Sequence, residues 1–194
     1  MRNLVLLFLL FTFNASVTLA QKTDSIAKQP AKARNIEGSV ISSSGNIIQS
    51  ISSAPNFSIL SQAIKAAGLA DTLSTLNPIT LFAPDNKAFG KLAPGVLDTL
   101  MLPTHKADLK NLVLNHIVSG RIISGDINKQ IKSGNGQTTF TTLADTILTA
   151  KINENRNIVL TDPSGMQSVI SNFDIQQSNG MLHVINAVLL PHAK

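Results

Sequence analysis

Cysteine, tryptophan and tyrosine are all missing from this 194-residue chain. Without cysteine there is no disulfide framework, no thiolate metal ligand and no acylated cysteine of the lipoprotein kind. Aromatic content amounts to eight phenylalanines, three of which (Phe8, Phe11 and Phe13) lie close to the N-terminus. Single-strand nucleic-acid binders interleave stacking aromatics with a basic groove. The net charge of +5 does not supply one: Arg2, Lys22, Lys28, Lys32 and Arg34 all precede Gly45. From Gly45 onward eleven Lys/Arg stand against nine Asp/Glu, a scattered surplus of two. Nucleic acid is therefore not an expected partner.

Long apolar runs are equally scarce. Residues 4–13 form a run of ten, against the roughly 20 that a membrane-spanning helix needs. Arg2 precedes it and small or polar residues follow, ending Thr18-Leu19-Ala20, so residues 1–20 read as a secretory signal peptide. An uncleaved anchor is the competing reading and would need a longer run. Residues 21–44 are polar and without sustained periodicity, which predicts a flexible leader. The C-terminal Leu190-Pro191-His192-Ala193-Lys194 offers no hydrophobic tail for a lipid anchor. The expectation is an exported chain, secreted or periplasmic, with no membrane insertion after cleavage and one domain over residues 45–194.

Within that domain the pattern predicts helices first and strands afterwards. Ile47, Ile48 and Ile51 suggest a short helix ending before Pro55. A second helix has Asn56 or Ser58 as cap, Leu60, Ala63, Ile64 and Ala67 as its apolar face and Gly68 as its stop. Residues 69–76 continue helically. A strand over 79–83 runs through Pro84 to Asp85, whose carboxylate suits the free N–H groups of a helix beginning at Asn86. Residues 96–101 and 106–114 are further helices. Segments 117–118, 121–124, 140–143, 147–152, 157–160, 167–175 and 181–190 suit strands bounded by turn residues. This order indicates an α+β domain, and the almost wholly apolar 181–190 reads as a central strand covered on both faces.

Chemistry-bearing motifs are few. His105, His116, His183 and His192 have no partner at ligand spacing, so neither a metal nor another cofactor is expected. His116 and His183 sit on apolar segments and read as core histidines, each held by a hydrogen bond. No serine occupies a Gly-x-Ser-x-Gly elbow and no phosphate-loop glycine pattern occurs, so no catalytic residue is assigned. Asn56-Phe57-Ser58 is formally a glycosylation sequon, yet its place at a helix start already accounts for both polar residues.

Five segments in order resemble the fasciclin domain. They are SILSQAIKAAGLADTL at 58–73, TLFAPDNKAF at 80–89, Leu92-Ala93-Pro94-Gly95, Leu114-Asn115-His116-Ile117-Val118-Ser119-Gly120 and NGMLHVINAVLLP at 179–191. The short leader and single domain make the chain similar to the small secreted bacterial members. The resemblance implies a wedge of about seven strands with helices packed against it, mostly in the N-terminal half. It also implies a non-enzymatic module for adhesion to a protein or polysaccharide of the matrix, cell surface or envelope. A periplasmic ligand- or polysaccharide-binding protein acting in envelope maintenance is the alternative, and a hydrolase on the same fold a third. Asp174, Ile175 and His116 become the candidate partner-binding residues. Asp174-Ile175 matches the family's Asp-Ile pair, whose plain alternative is a strand-end Asp beside a buried Ile. His116 matches its Tyr-His pair, with Asn115 in the tyrosine position. Asn186 stands where the family usually carries an acid, so a neutral hydrogen bond is expected there. The oligomeric state is left open.

Overall fold

The computed structural model describes residues 33–36 and 38–191. The signal peptide expected over 1–20 lies outside them, as does the first part of the expected leader. The rest of that leader is a correction. Strands β1 (Ala33–Ile36) and β2 (Ser39–Ser42) form an antiparallel hairpin. Ile36 and Ile41 turn inward and are 4% and 1% exposed. The reason is local alternation: Val40 points to water while its neighbour Ile41 does not. Asn56 Nδ2 donates to the Ile36 carbonyl at 2.9 Å, tying the hairpin to the helices behind it.

Those helices are α1 (Ile47–Ser53), α2 (Ser58–Ala66) and α3 (Ala70–Thr75). α1 starts with a reciprocal capping box in which Asn46 and Gln49 each accept the other's backbone N–H. α2 begins differently from expectation. Its first free donors are met from a distance, with Ile59 N–H donating to Asn86 Oδ1 at 3.1 Å. At its end Gly68 takes φ +72°, and Gly68 and Leu69 N–H donate back to the Lys65 and Ile64 carbonyls.

Strand β3 (Ile79–Pro84) is buried at every position. It leads into α4 (Asn86–Phe89), where Ala88 N–H donates to the Asp85 carboxylate at 2.7 Å, as the sequence predicts. Next come α5 (Val96–Leu100), α6 (Lys106–Leu114) and β4 (Ile117–Ser119). The strand expected over 121–124 is instead an extended link into α7 (Ser124–Ser133). Ile127 and Ile131, four residues apart, are its buried face. Strands β5 (Gln137–Thr141), β6 (Ile147–Ile152), β7 (Ile158–Thr161), β8 (Gln167–Gln177) and β9 (Gly180–Ile185) complete the chain.

Seven strands form one sheet in the order β4-β3-β9-β8-β7-β6-β5, parallel only between β3 and β9. The fold is thus α+β, with helices packed around a seven-stranded sheet. Two apolar clusters explain why β3 and β9 carry almost no polar residue. Leu81, Leu182 and Val184 face a cluster shared with α1, α2 and α6. Phe82 and Ile185, next in sequence, face a second cluster shared with α7, β5 and β6. Gly180 is required where β9 meets β3, because a Cβ there would stand 1.9 Å from the Ile79 carbonyl oxygen. Beside it Asn179 bonds to both α1 and the end of α3, accepting from Ile47 N–H and donating to Leu73 and Leu76 carbonyls.

β9 stops at Ile185 rather than running to 190. From Ala187 to Leu190 the backbone leaves the sheet, and buried side chains take over its hydrogen bonds. Ser168 Oγ exchanges bonds with both backbone groups of Ala187, at 2.9 and 3.0 Å. Asn186 Oδ1 accepts from Val169 N–H at 2.9 Å, the neutral hydrogen bond expected there.

Candidate functional site

Two polar clusters contain the three candidate residues. The first is a clasp on the departing C-terminal segment. Asn115 Nδ2 donates to the Leu189 carbonyl at 3.1 Å, and Leu189 N–H donates to His116 Nε2 at 3.0 Å. Because Nε2 accepts, His116 carries its proton on Nδ1, which faces the Leu112 carbonyl at 2.9 Å. Asp162 adds a third hold: Oδ2 accepts from Leu190 N–H at 2.7 Å, while Oδ1 accepts from Ser164 and Met166 N–H. Asn115, His116 and Asp162 are no more than 4% exposed. Burial lowers the His116 pKa from 6.5 to about 4, against the smaller raising effects of the Leu112 carbonyl and the Asp162 charge. His116 is therefore a neutral structural group that no external partner reaches in this fold.

The second cluster lies at an irregularity in β8. The pairing of β8 with β9 slips between Asn172 and Ile175, and Asp174 adopts φ +61°. Such a conformation favours Asn, Asp or Gly. It separates the two candidates that regular alternation would already place on opposite faces. Ile175 turns into the first core cluster and is 2% exposed. Asp174 turns to α7, where Oδ1 accepts from Ser124 N–H at 2.7 Å and Oδ2 from Ser124 Oγ at 2.5 Å. The residue before the helix, Ile123, brings no cap of its own. Asp174, fifty residues away in sequence, supplies it and sets a negative charge at the positive end of α7.

Beneath the irregularity lies His183. Its Nε2 donates to the Ile122 carbonyl at 2.9 Å, its Nδ1 accepts from Asp174 N–H at 3.4 Å, and its ring packs 5.7 Å from that of Phe82. Burial lowers its pKa, opposed by the Ile122 carbonyl and the Asp174 charge. On the outer side, Phe173 and Ile123 are 45% and 41% exposed. The Arg34 guanidinium, from the hairpin, donates to the Phe173 carbonyl. Sequence reasoning missed Phe173, Ile123 and Arg34; the sequence signal for the first was a lone aromatic directly before Asp174.

Among the described residues no group of three His, Asp or Glu could hold a metal ion, and no helix is long and apolar enough to cross a membrane.

The fasciclin-domain family model matches residues 55–191, and the chain belongs to that family. It is 31% identical to Protein sll1483 of the cyanobacterium Synechocystis, over 93% of this chain and 94% of that one. It is 28% identical to the pig transforming growth factor-beta-induced protein ig-h3, over 77% of this chain but only 20% of the relative. Human Stabilin-1 matches at 29% over 74% of this chain and 5% of its own length. Among solved structures, a FAS1 domain pair from the insect cell adhesion molecule fasciclin I superimposes with a TM-score of 0.66. That match is 20% identical, covering 75% of this chain and 51% of the insect one, and it shows the fold alone.

Proposed function

We propose that this chain is an exported, non-enzymatic interaction module that binds a protein or polysaccharide of the extracellular matrix, cell surface or envelope. The observation that carries the reading is the outer side of the β8 irregularity, where Phe173 and Ile123 stand exposed beside the capping carboxylate of Asp174. An exposed aromatic held on rigid backbone is the kind of anchor that dominates interface energy. The backbone here is held by His183 and by Arg34, and the Asp174 side chain is held by Ser124. Asp174 contributes its position and its charge; Ile175 and His116 act from inside the fold by fixing the strand and the C-terminal segment. The non-enzymatic part draws support from the buried histidines. Both ring nitrogens of His116 and of His183 are occupied by backbone groups, leaving neither imidazole a lone pair for general-base work.

The test is retention. Mature domain immobilised on beads should retain secreted or envelope material from its own cells. Phe173→Asp should lose most of that retention with an unchanged thermal midpoint. Protease or periodate treatment of the retained fraction then separates protein from polysaccharide. Equal retention by Phe173→Asp would place recognition on another face. A second reading, a periplasmic ligand- or polysaccharide-binding protein acting in envelope maintenance, is favoured by one feature, a cavity of about 780 Å³ beside α5.

A further inference from the structure

That cavity opens between α5, α6 and the end of the described chain. Val96, Leu100, Leu112, Leu190 and two prolines make most of its wall, and Thr99, Asp108 and Asn111 bring the polar groups. Small-molecule sites typically measure roughly 300–1,000 Å³ and combine an apolar wall with a few polar groups. The size and lining here fit that description.

The two sides of the cavity are held differently. One wall is fixed by the clasp: His116 and Asn115 hold Leu189 while Asp162 holds Leu190. The other is α5, a five-residue helix with no buried side chain. It enters through Pro94 and Gly95, the latter at φ +80°. Leu97 and Leu100 of α5 pack against the first core cluster without being fully buried, so an apolar occupant would cover what the fold leaves partly wet.

The charge of the occupant follows from the lining. Asp108 is the one ionisable group among the lining residues. Its Oδ2 lies 2.9 Å from His105 Nδ1, which leaves Oδ1 for a further donor. Its side chain is 66% exposed, so a cation meeting it stays partly hydrated and avoids the cost of burying a charge. An anionic head in the same place would meet a like charge.

We propose that this cavity binds a cationic amphiphile, its aliphatic body against Val96, Leu100, Leu112 and Leu190 and its ammonium against Asp108. This rests on the second, ligand-binding reading and not on adhesion, and the cavity shares no residue with the β8 irregularity.

The experiment uses Nile red as the reporter, because its emission rises when it leaves water for an apolar site. Decylamine and decanoate, both below their micellar concentrations, compete for the dye. Decylamine should displace it at a concentration lower by about three- to fivefold, the upper range of an exposed charge contact. Asp108→Asn should narrow that ratio to about twofold or less. Val96→Trp, which fills the cavity from a half-exposed position on α5, should weaken dye binding by at least about tenfold at an unchanged thermal midpoint. Equal dye binding by folded Val96→Trp, or displacement by decanoate as effective as by decylamine, would overturn the proposal. Should Val96→Trp not fold, the Asp108→Asn ratio decides alone. Phe173→Asp should bind the dye normally, so failure here is distinct from failure of the adhesion reading.

Discussion

The clasp on Leu189 and the irregularity at Asp174 use one device, a polar side chain satisfying backbone groups of a distant element, yet they differ in what surrounds it. In the clasp, Asn115, His116 and Asp162 are sealed from water, and the Leu189 backbone groups held there would otherwise be buried without a partner. At the irregularity, Asp174 is only partly covered and two apolar side chains beside it remain in solvent. The difference separates residues that keep the fold from residues that present a surface. A family motif can fall on either kind. His116 falls on the first, whereas Asp174 caps α7 between the exposed Phe173 and the buried Ile175.

Four perturbations sharpen that contrast, taken from the largest effect down. Removing the chain before Gly45 exposes the contacts of Ile36 and Ile41 and takes away the Arg34 hold on Phe173. Two buried isoleucines amount to about 4 kcal/mol, which should lower the thermal midpoint by roughly 10 °C in a calorimetric scan. A midpoint unchanged by the deletion would mean that the hairpin does not support the domain.

Acidification acts on the clasp next. Unfolded, His116 titrates near 6.5; folded, near 4. Between those values the unfolded chain binds more protons, so stability is complete above 6.5 and declines as the pH falls toward 4. His116 alone accounts for about 3 kcal/mol of loss by pH 4. His183, also lowered, adds in the same direction. Urea midpoints measured from pH 7 to 4 should show this slope, and His116→Gln should flatten it while lowering stability at pH 7.

Asp174→Ala should cost about 1–2 kcal/mol through loss of the α7 cap. Asp174→Asn keeps an acceptor and tolerates the positive φ, so it should cost about 0.5 kcal/mol or less. Equal losses in the two urea titrations would show that the charge, not the acceptor, is what α7 needs. Smallest in stability is Phe173→Asp, expected within about 0.5 kcal/mol of the parent.

What the sequence disclosed followed from how local each cause is. TLFAPDNKAF could be read because its strand, proline, cap and helix lie within ten consecutive residues. The central position of β9 was legible because both of its faces are buried and every residue had to comply. The hairpin was not, since each of its strands buries little and Ser-rich flanks hide the alternation. Nor was α7, whose buried face is only Ile127 and Ile131 after the β-branched Ile122-Ile123. At the candidate site, the Asp174 cap on Ser124 spans fifty residues and the His116 bond to Leu189 spans seventy-three. Such partners are chosen by the fold, and periodicity carries no trace of them. β8 can break here because Asp174 tolerates a left-handed backbone. The break points Asp174 toward α7 and Ile175 into the core.

The most direct measurement compares adhesion and stability in the same two variants. Beads coated with parent, Phe173→Asp or His116→Gln domain are scored for adhesion to the cell envelope at a temperature where all remain folded. The account expects Phe173→Asp to lose adhesion with its thermal midpoint intact, and His116→Gln to lose several degrees yet adhere as the parent does. The opposite pattern, adhesion lost in folded His116→Gln and kept in Phe173→Asp, would contradict it.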